Sequence, residues 1–169
     1  MWMARRSKTK SKYPSFLDHI VAGGQPSNLG LMENVLKECM EEAGIPSDIT
    51  IQGIRSVGAV SYELFEPSGI IHDDSEFYYD GVVSRAVLFC YDLELPLDFV
   101  PRIVDGEVEE FFTWNMDQVL SSTKEDFDDP IKPNCYLVII DFLLRQGIIT
   151  PESKGYLDIV RELRGGLCV

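Results

Sequence analysis

Residues 23–45 read GGQPSNLGLMENVLKECMEEAGI, and the fold turns on this stretch. From Leu31 to Ala43 the apolar residues fall at 31, 32, 35, 36, 39, 40 and 43, the spacing of an amphipathic helix. Gly44 stands at the C-terminal stop position, and Pro46 cannot continue the helix. Residues 17–22 read as a strand stopped by Gly23-Gly24, and residues 25–30, with Pro26, Ser27 and Asn28, read as a loop. Strand, glycine loop and helix in that order are what a phosphate site needs, because a helix start offers free N–H groups. Inside the helix Glu38, Glu41 and Glu42 are related by i, i+3 and i+4, so the spacing puts three carboxylates on one face. Like charges so placed repel by about 0.2–0.5 kcal/mol per pair. A hard cation reverses that penalty: Mg2+ takes oxygen ligands and keeps waters and phosphate oxygens in its shell. Glu33, Lys37 and Glu41 form an i, i+4 ladder that is expected to hold the helix in register. Taken alone, a solvated acidic face accounts for the same glutamates; the glycine loop ahead of them favours a site.

Working outward, residues 2–6 read as a strand and residues 7–15 as a polar segment ending in a turn. Residues 51–64 read as one strand or two, residues 66–81 as an acidic, aromatic loop, and residues 82–95 as a strong strand. Residues 96–105 form a connection, residues 107–114 a strand, residues 116–122 a short helix and residues 123–133 an acidic loop. Residues 135–145 make an apolar helix ended by Gly147, and residues 155–163 a last amphipathic one. The order predicts an α/β fold, a mixed sheet covered by helices on both sides.

The 169 residues, 45% hydrophobic and 25% charged, fit one globular domain with a real core. A net charge of −13 argues against nucleic acid and anionic membrane partners. No apolar run reaches the roughly 18 residues of a membrane span. Arg5, Arg6, Lys8, Lys10 and Lys12 cluster in this acidic chain, either as a solvated tail or as a local phosphate site. Cys39, Cys90, Cys135 and Cys168 form no CxxC pair and fit buried thiols in a reducing, cytoplasmic setting. No apolar segment follows the basic start, so no signal peptide is read, and the abrupt opening strand suggests a shortened relative of a longer protein.

The segment from Gly23 resembles the Nudix box, G-x5-E-x7-R-E-U-x-E-E-x-G-U. Gly23, Glu38, Glu41, Glu42, Gly44 and Ile45 match it, with Cys39 at the first aliphatic position. Lys37 replaces the arginine and loses its planar fork. Leu29 replaces the first glutamate, which bears on the number of metal ions. LDHIVAGGQP, LFCYDLELPLDFVP, DGEVEEF and PESKGYLDIVRELRGG resemble the plant and fungal Nudix proteins related to the Nudix part of thiamine pyrophosphokinase fusions, over nearly the whole length. An N-terminal domain usual in that branch is not expected here.

The resemblance implies a Nudix fold of one domain, and Mg2+ or Mn2+ held by Glu38, Glu41 and Glu42. The implied reaction is hydrolysis of a small-molecule diphosphate, above all damaged thiamine diphosphate, to the monophosphate and phosphate. Glu41, Glu38, Lys37 and Glu107 are the expected catalytic residues. Gly23, Gly24, Arg6, Lys10 and Arg85 are the expected substrate contacts. Bland readings stand beside these: Arg85 as a surface ion pair, Glu107 as a strand-end charge, His19 as a sheet residue, and Phe77, Tyr78 and Tyr79 as loop packing. A homodimer is compatible with the branch. Three rivals remain: an isopentenyl diphosphate isomerase, disfavoured because His19 and His72 are the sole histidines; ADP-ribose or nucleoside diphosphate hydrolysis; and a ligand-binding module without turnover.

Overall fold

The computed structural model describes residues 1–73 and 76–165, and of residues 66–80 the backbone alone. β1 (Trp2–Arg6) is the middle strand of a three-stranded antiparallel sheet, between β2 (Leu17–His19) and β5 (Val108–Thr113). Ala4 sits opposite Asp18 on one side and Phe111 on the other, with a register shift between Arg5 and Arg6. β3 (Ile54–Asp73) and β4 (Glu76–Leu93) form a long antiparallel hairpin as a second sheet. Instead of one mixed sheet, the described strands thus make two antiparallel ones. An isolated parallel bridge joins Leu17 of β2 to Ile131, which lies outside the strands.

Alternation along β5 shows how helices cover both faces of the first sheet. Phe111 joins the cluster around Cys39, Ala43 and Ile45, which is the apolar side of α1 (Leu31–Ala43). Phe112 joins Met3, Leu17, Cys135, Ile139 and Leu143, beneath α3 (Met116–Ser121) and α4 (Pro133–Arg145). α4 is apolar on more than one side. Cys135, Ile139 and Leu143 recur every four residues and meet the sheet, whereas Leu137, Val138, Ile140 and Leu144 meet Val60 and Cys90 of the hairpin. Ile159 of α5 (Tyr156–Glu162) closes that second contact.

Two stretches depart from the sequence expectation. Residues 51–53 belong to α2 (Ser47–Gly53), not to a strand. Pro46 takes the extended N-cap conformation, Asp48 lies in the first turn, and the Thr50 hydroxyl donates to the Pro46 carbonyl at 3.2 Å. The β-branched run Ile49-Thr50-Ile51 masked these start signals. Residues 66–81, expected as a loop, carry the β3–β4 ladder out to Asp73 and Glu76. A ribbon that pairs only with itself satisfies its backbone locally, so apolar alternation is not needed to form it. The side chains of Phe77, Tyr78 and Tyr79 lie outside the described residues, as does Cys168.

Asp141 is buried within α4, its side chain 3% exposed, and accepts from Arg145 Nε at 2.8 Å and Arg164 Nη2 at 2.9 Å. The Arg145 fork also donates to Asp92 of β4 at 2.5 and 3.0 Å. Removing Arg145 strips a buried carboxylate of one partner and unties the hairpin from the helix. Arg145→Met is expected to lower stability by about 3 kcal/mol in urea unfolding; a loss under about 0.5 kcal/mol, the range of ordinary surface changes, would contradict the role assigned to this pair.

Candidate functional site

α1 sits as the sequence predicts, and its ends explain two box positions. Gly44 adopts φ +61°, a left-handed conformation that costs glycine little. Its N–H donates to Met40 O at 3.1 Å, while Ile45 N donates to Cys39 O at 2.9 Å, which closes the helix. At the start, the Glu33 carboxylate accepts from the Gly30 N–H at 2.8 Å. Glu33 is therefore a cap, and the expected three-residue ladder shortens to the Lys37–Glu41 pair at 2.7 Å.

The three box glutamates divide between two directions. Asn34, Cys39 and Ala43 mark the buried stripe, and Glu38 and Glu42 lie along it. The Glu38 side chain is 15% exposed, that of Glu41 52%. Glu42 Oε2 accepts from the Ala22 N–H at 2.9 Å. Burial pushes the Glu42 carboxyl up to about 7 against that hydrogen bond, and the charges of Glu38, Glu107 and Asp105 add to the rise. Lys37 donates to Glu38 Oε1 at 3.1 Å as well as to Glu41.

The glycine pair is held against this helix. Asn34 Nδ2 donates to Gly24 O at 3.0 Å, and Gln25 Nε2 donates to Leu29 O at 2.7 Å, closing the loop. The two glycines differ in kind. A Cβ on Gly23 would collide with the Glu38 carboxyl group, whereas one on Gly24 would meet nothing.

A polar cavity of about 360 Å3 gathers most of the predicted residues: Arg6, Lys10, Gly23, Gly24, Glu38, Glu42 and Glu107 all line it. Lys10 Nζ lies 2.6 Å from Glu107 Oε2. Arg6 donates to Asp18 Oδ2 at 2.7 Å and to the carbonyls of Tyr13 and Lys12. The basic cluster is tied down rather than a loose tail: Arg5 pairs with Glu110 and Asp129, and Lys8 with Glu109, while Arg6 and Lys10 reach the cavity. Three predicted residues lie apart from the cavity lining. Glu41 and Lys37 pair with each other, and Arg85 pairs across the hairpin with Glu63 at 2.8 Å. Arg85 is thus an exposed cross-strand ion pair, the blander of its two readings. Among the described residues, no three His, Cys, Asp or Glu side chains converge closely enough to hold an ion by themselves.

Sequence reasoning missed Asp18 and Lys132, both on the cavity wall. Asp18 is buried, and Lys132 Nζ lies 3.1 Å from its Oδ2. Burial works to raise the Asp18 carboxyl, but Lys132 and hydrogen bonds from Cys135 and Arg6 more than offset it and hold it below its usual range. A charged residue inside a short strand was the one available signal for Asp18. Nothing local announced Lys132, which arrives from residues 114 positions away. A second, largely apolar cavity of about 430 Å3 shares His19, Gly23, Gly24, Glu38 and Lys132 with the first and extends between α1, β4 and α4.

This α/β domain thus gathers Glu38 and Glu42 of one helix, Glu107, and the basic side chains of Arg6, Lys10 and Lys132 around one polar cavity. No protein-family profile matches the chain. Individual relatives do. It is 47% identical over 168 residues to Nudix hydrolase 24, chloroplastic, of Arabidopsis thaliana, covering 99% of this chain and 42% of that protein. To Nudix hydrolase 20, chloroplastic, of the same plant it is 48% identical, covering 99% and 41%. An uncharacterized protein of Saccharomyces cerevisiae is 39% identical over 167 residues, covering 96% of the chain and 46% of that protein. The chain is a homologue of the plant Nudix hydrolases, as the box and the longer strings suggested, and spans less than half the length of these relatives. Among the described residues no helix is long and apolar enough to cross a membrane.

The raised Glu42 carboxyl gives a signed pH effect. Between its ordinary value of 4.5 and about 7 the folded protein binds the proton that the unfolded chain releases. In metal-free buffer stability therefore falls as pH rises through that window, by up to about 1.4 kcal/mol per pH unit, and levels off above it. Glu42→Gln should remove this slope in urea titrations at several pH values. A difference between the two proteins that stays constant from pH 4.5 to 7 would overturn the assignment.

Proposed function

We propose that the chain hydrolyses a small-molecule diphosphate with Mg2+, and that its substrate is of the thiamine diphosphate type, damaged forms included, giving the monophosphate and phosphate. One observation carries this reading: a polar, doubly charged cavity and an apolar cavity share a wall at Gly23, Gly24 and Glu38. Such a pair fits a molecule with an anionic end and an organic ring end.

The residues present fit a divalent cation. Glu38, Glu42 and Glu107 face one cavity, and their mutual repulsion helps to raise the Glu42 carboxyl. A bound dication would relieve that repulsion, and its preference for oxygen ligands suits these carboxylates. Glu38 and Glu42 are the proposed ligands on the cavity side; Glu41, carried by the resemblance, joins them when its pair with Lys37 opens. The bound metal supplies charge neutralisation and an oriented water for attack on phosphorus. Lys10 and Lys132 bind the phosphate oxygens, and as Lys10 turns to them it frees Glu107. Glu107 Oε2 then takes the proton of the attacking water. Lys37 keeps Glu38 in place. Three buried free thiols, Cys39, Cys90 and Cys135, suit a reducing compartment, the cytoplasm or an organelle such as the relatives' names indicate.

Phosphate release from thiamine diphosphate, oxythiamine diphosphate, ADP-ribose and several nucleoside diphosphates, with Mg2+ and with EDTA, tests the proposal. Metal-dependent release fastest with the thiamine compounds is expected. Release from nucleotides alone keeps the reaction and discards the substrate, and silence from folded protein overturns both. The glycines add a sharper expectation on whichever substrate turns over. Gly23→Ala moves the Glu38 carboxyl and should cut kcat/KM by about 100-fold with the fold intact, while Gly24→Ala stays near wild type. Equal activity of the two variants would show that the placement of Glu38 does not matter.

A further inference from the structure

Two buried side-chain polar atoms among the described residues lack a hydrogen-bond partner: Nε2 of His19 and Oδ1 of Asn34. Both side chains line the same 430 Å3 cavity. Leaving such an atom unpaired costs about 1–3 kcal/mol, so two in one cavity call for an explanation. The amide orientation of Asn34 is fixed by chemistry. Its Nδ2 must face the Gly24 carbonyl, to which it donates at 3.0 Å, and this leaves Oδ1 as a pure acceptor. His19 is anchored through its backbone N–H, which donates to Asp18 Oδ1 at 2.8 Å. Burial lowers the imidazole pKa, so the ring is neutral near pH 7 and one ring nitrogen carries the hydrogen. The rest of the wall is mostly apolar, with Val35 of α1, Leu88 and Tyr91 of β4 and Val138 of α4.

We infer that this cavity receives a heteroaromatic ring whose polar edge carries an N–H donor, which meets Asn34 Oδ1, and a second polar atom that pairs with His19 Nε2, a ring-nitrogen or carbonyl acceptor where Nε2 carries the imidazole hydrogen. The apolar side chains remove the faces of the ring from water, and the two polar atoms select its edge. An aminopyrimidine, an aminopurine or a pyrimidinone satisfies both atoms at once; a plain hydrocarbon ring leaves both unpaired. Direct pairing of this kind discriminates strongly, because the wrong ring strands buried polar groups. The connection of the ring to a diphosphate rests on the proposed function, through the wall shared at His19, Glu38 and Lys132. Recognition of the ring itself does not depend on hydrolysis.

The test uses the full chain, 15N-labelled, in EDTA, titrated by NMR with 4-aminopyrimidine and with pyrimidine. The amino compound should shift the Asn34 side-chain amide and the His19 ring signals, and bind at least about tenfold tighter than pyrimidine. Asn34→Leu and His19→Phe should each erase that preference while the spectrum stays that of a folded protein, with changes around residues 23–25 in the Asn34 variant, where its bond to Gly24 O is lost. Equal affinities, shifts confined to other residues, or no binding of either compound to the wild-type chain would overturn the inference. Selective binding by a protein that hydrolyses no diphosphate would leave this inference standing and remove the proposed function. Hydrolysis without ring preference would do the reverse.

Discussion

The Asp18 carboxylate is the point on which the site depends. It sits 6% exposed on β2 and is reached by Arg6 from β1, by Lys132 from the start of α4, and by the Cys135 thiol one turn further on, at 2.9 Å. Oδ1, which the Cys135 thiol reaches, also accepts from the next backbone N–H, that of His19, while Arg6 and Lys132 share Oδ2. A buried carboxylate with so many donors is costly to desolvate, but it fixes the relative positions of everything that donates to it. Two cations of the polar cavity, the strand that leads to Gly23-Gly24, and the helix that separates the two sheets are thereby referred to one pair of oxygens.

A second constraint acts on the basic lead-in. Tyr13 and Ser15 take φ of +53° and +63°, a region that side chains with a Cβ enter reluctantly. The strain is held by Arg6, which donates to the Tyr13 and Lys12 carbonyls, and by Arg5, which donates to the Ser15 carbonyl at 3.1 Å. Arg6, expected as a substrate contact, and its neighbour Arg5 both bond the carbonyls of this loop. Lys10 is the side chain that this loop delivers to the cavity.

The sequence makes the helix of the site legible because periodicity, a glycine stop and a proline all agree over residues 31–46. The same residues could not reveal that Glu38 and Glu42 turn inward while Glu41 turns out. A 100° step per residue leaves three carboxylates within one broad face, and only the packing of Cys39 and Ala43 sets which part of that face is buried. The seven-residue α2 was hidden by its β-branched composition, and the outer hairpin by the want of apolar alternation. The partners of Asp18, Lys132 and His19, as opposed to the residues themselves, were hidden for another reason: they come from contacts between segments more than a hundred residues apart, or from a wall shared by two cavities.

That shared wall bears on how the protein can change over evolutionary time. The polar cavity is lined by residues near positions 6–10, 22–24, 38–42 and 107, and the apolar one extends along β4 and α4; in the proposed function these take the anionic end and the ring end. Drift on β4 can remodel which organic group is admitted while the chemistry stays untouched, so new specificities are reachable by single steps. His19 and Glu38 belong to both halves, and a change at either would alter admission and turnover together.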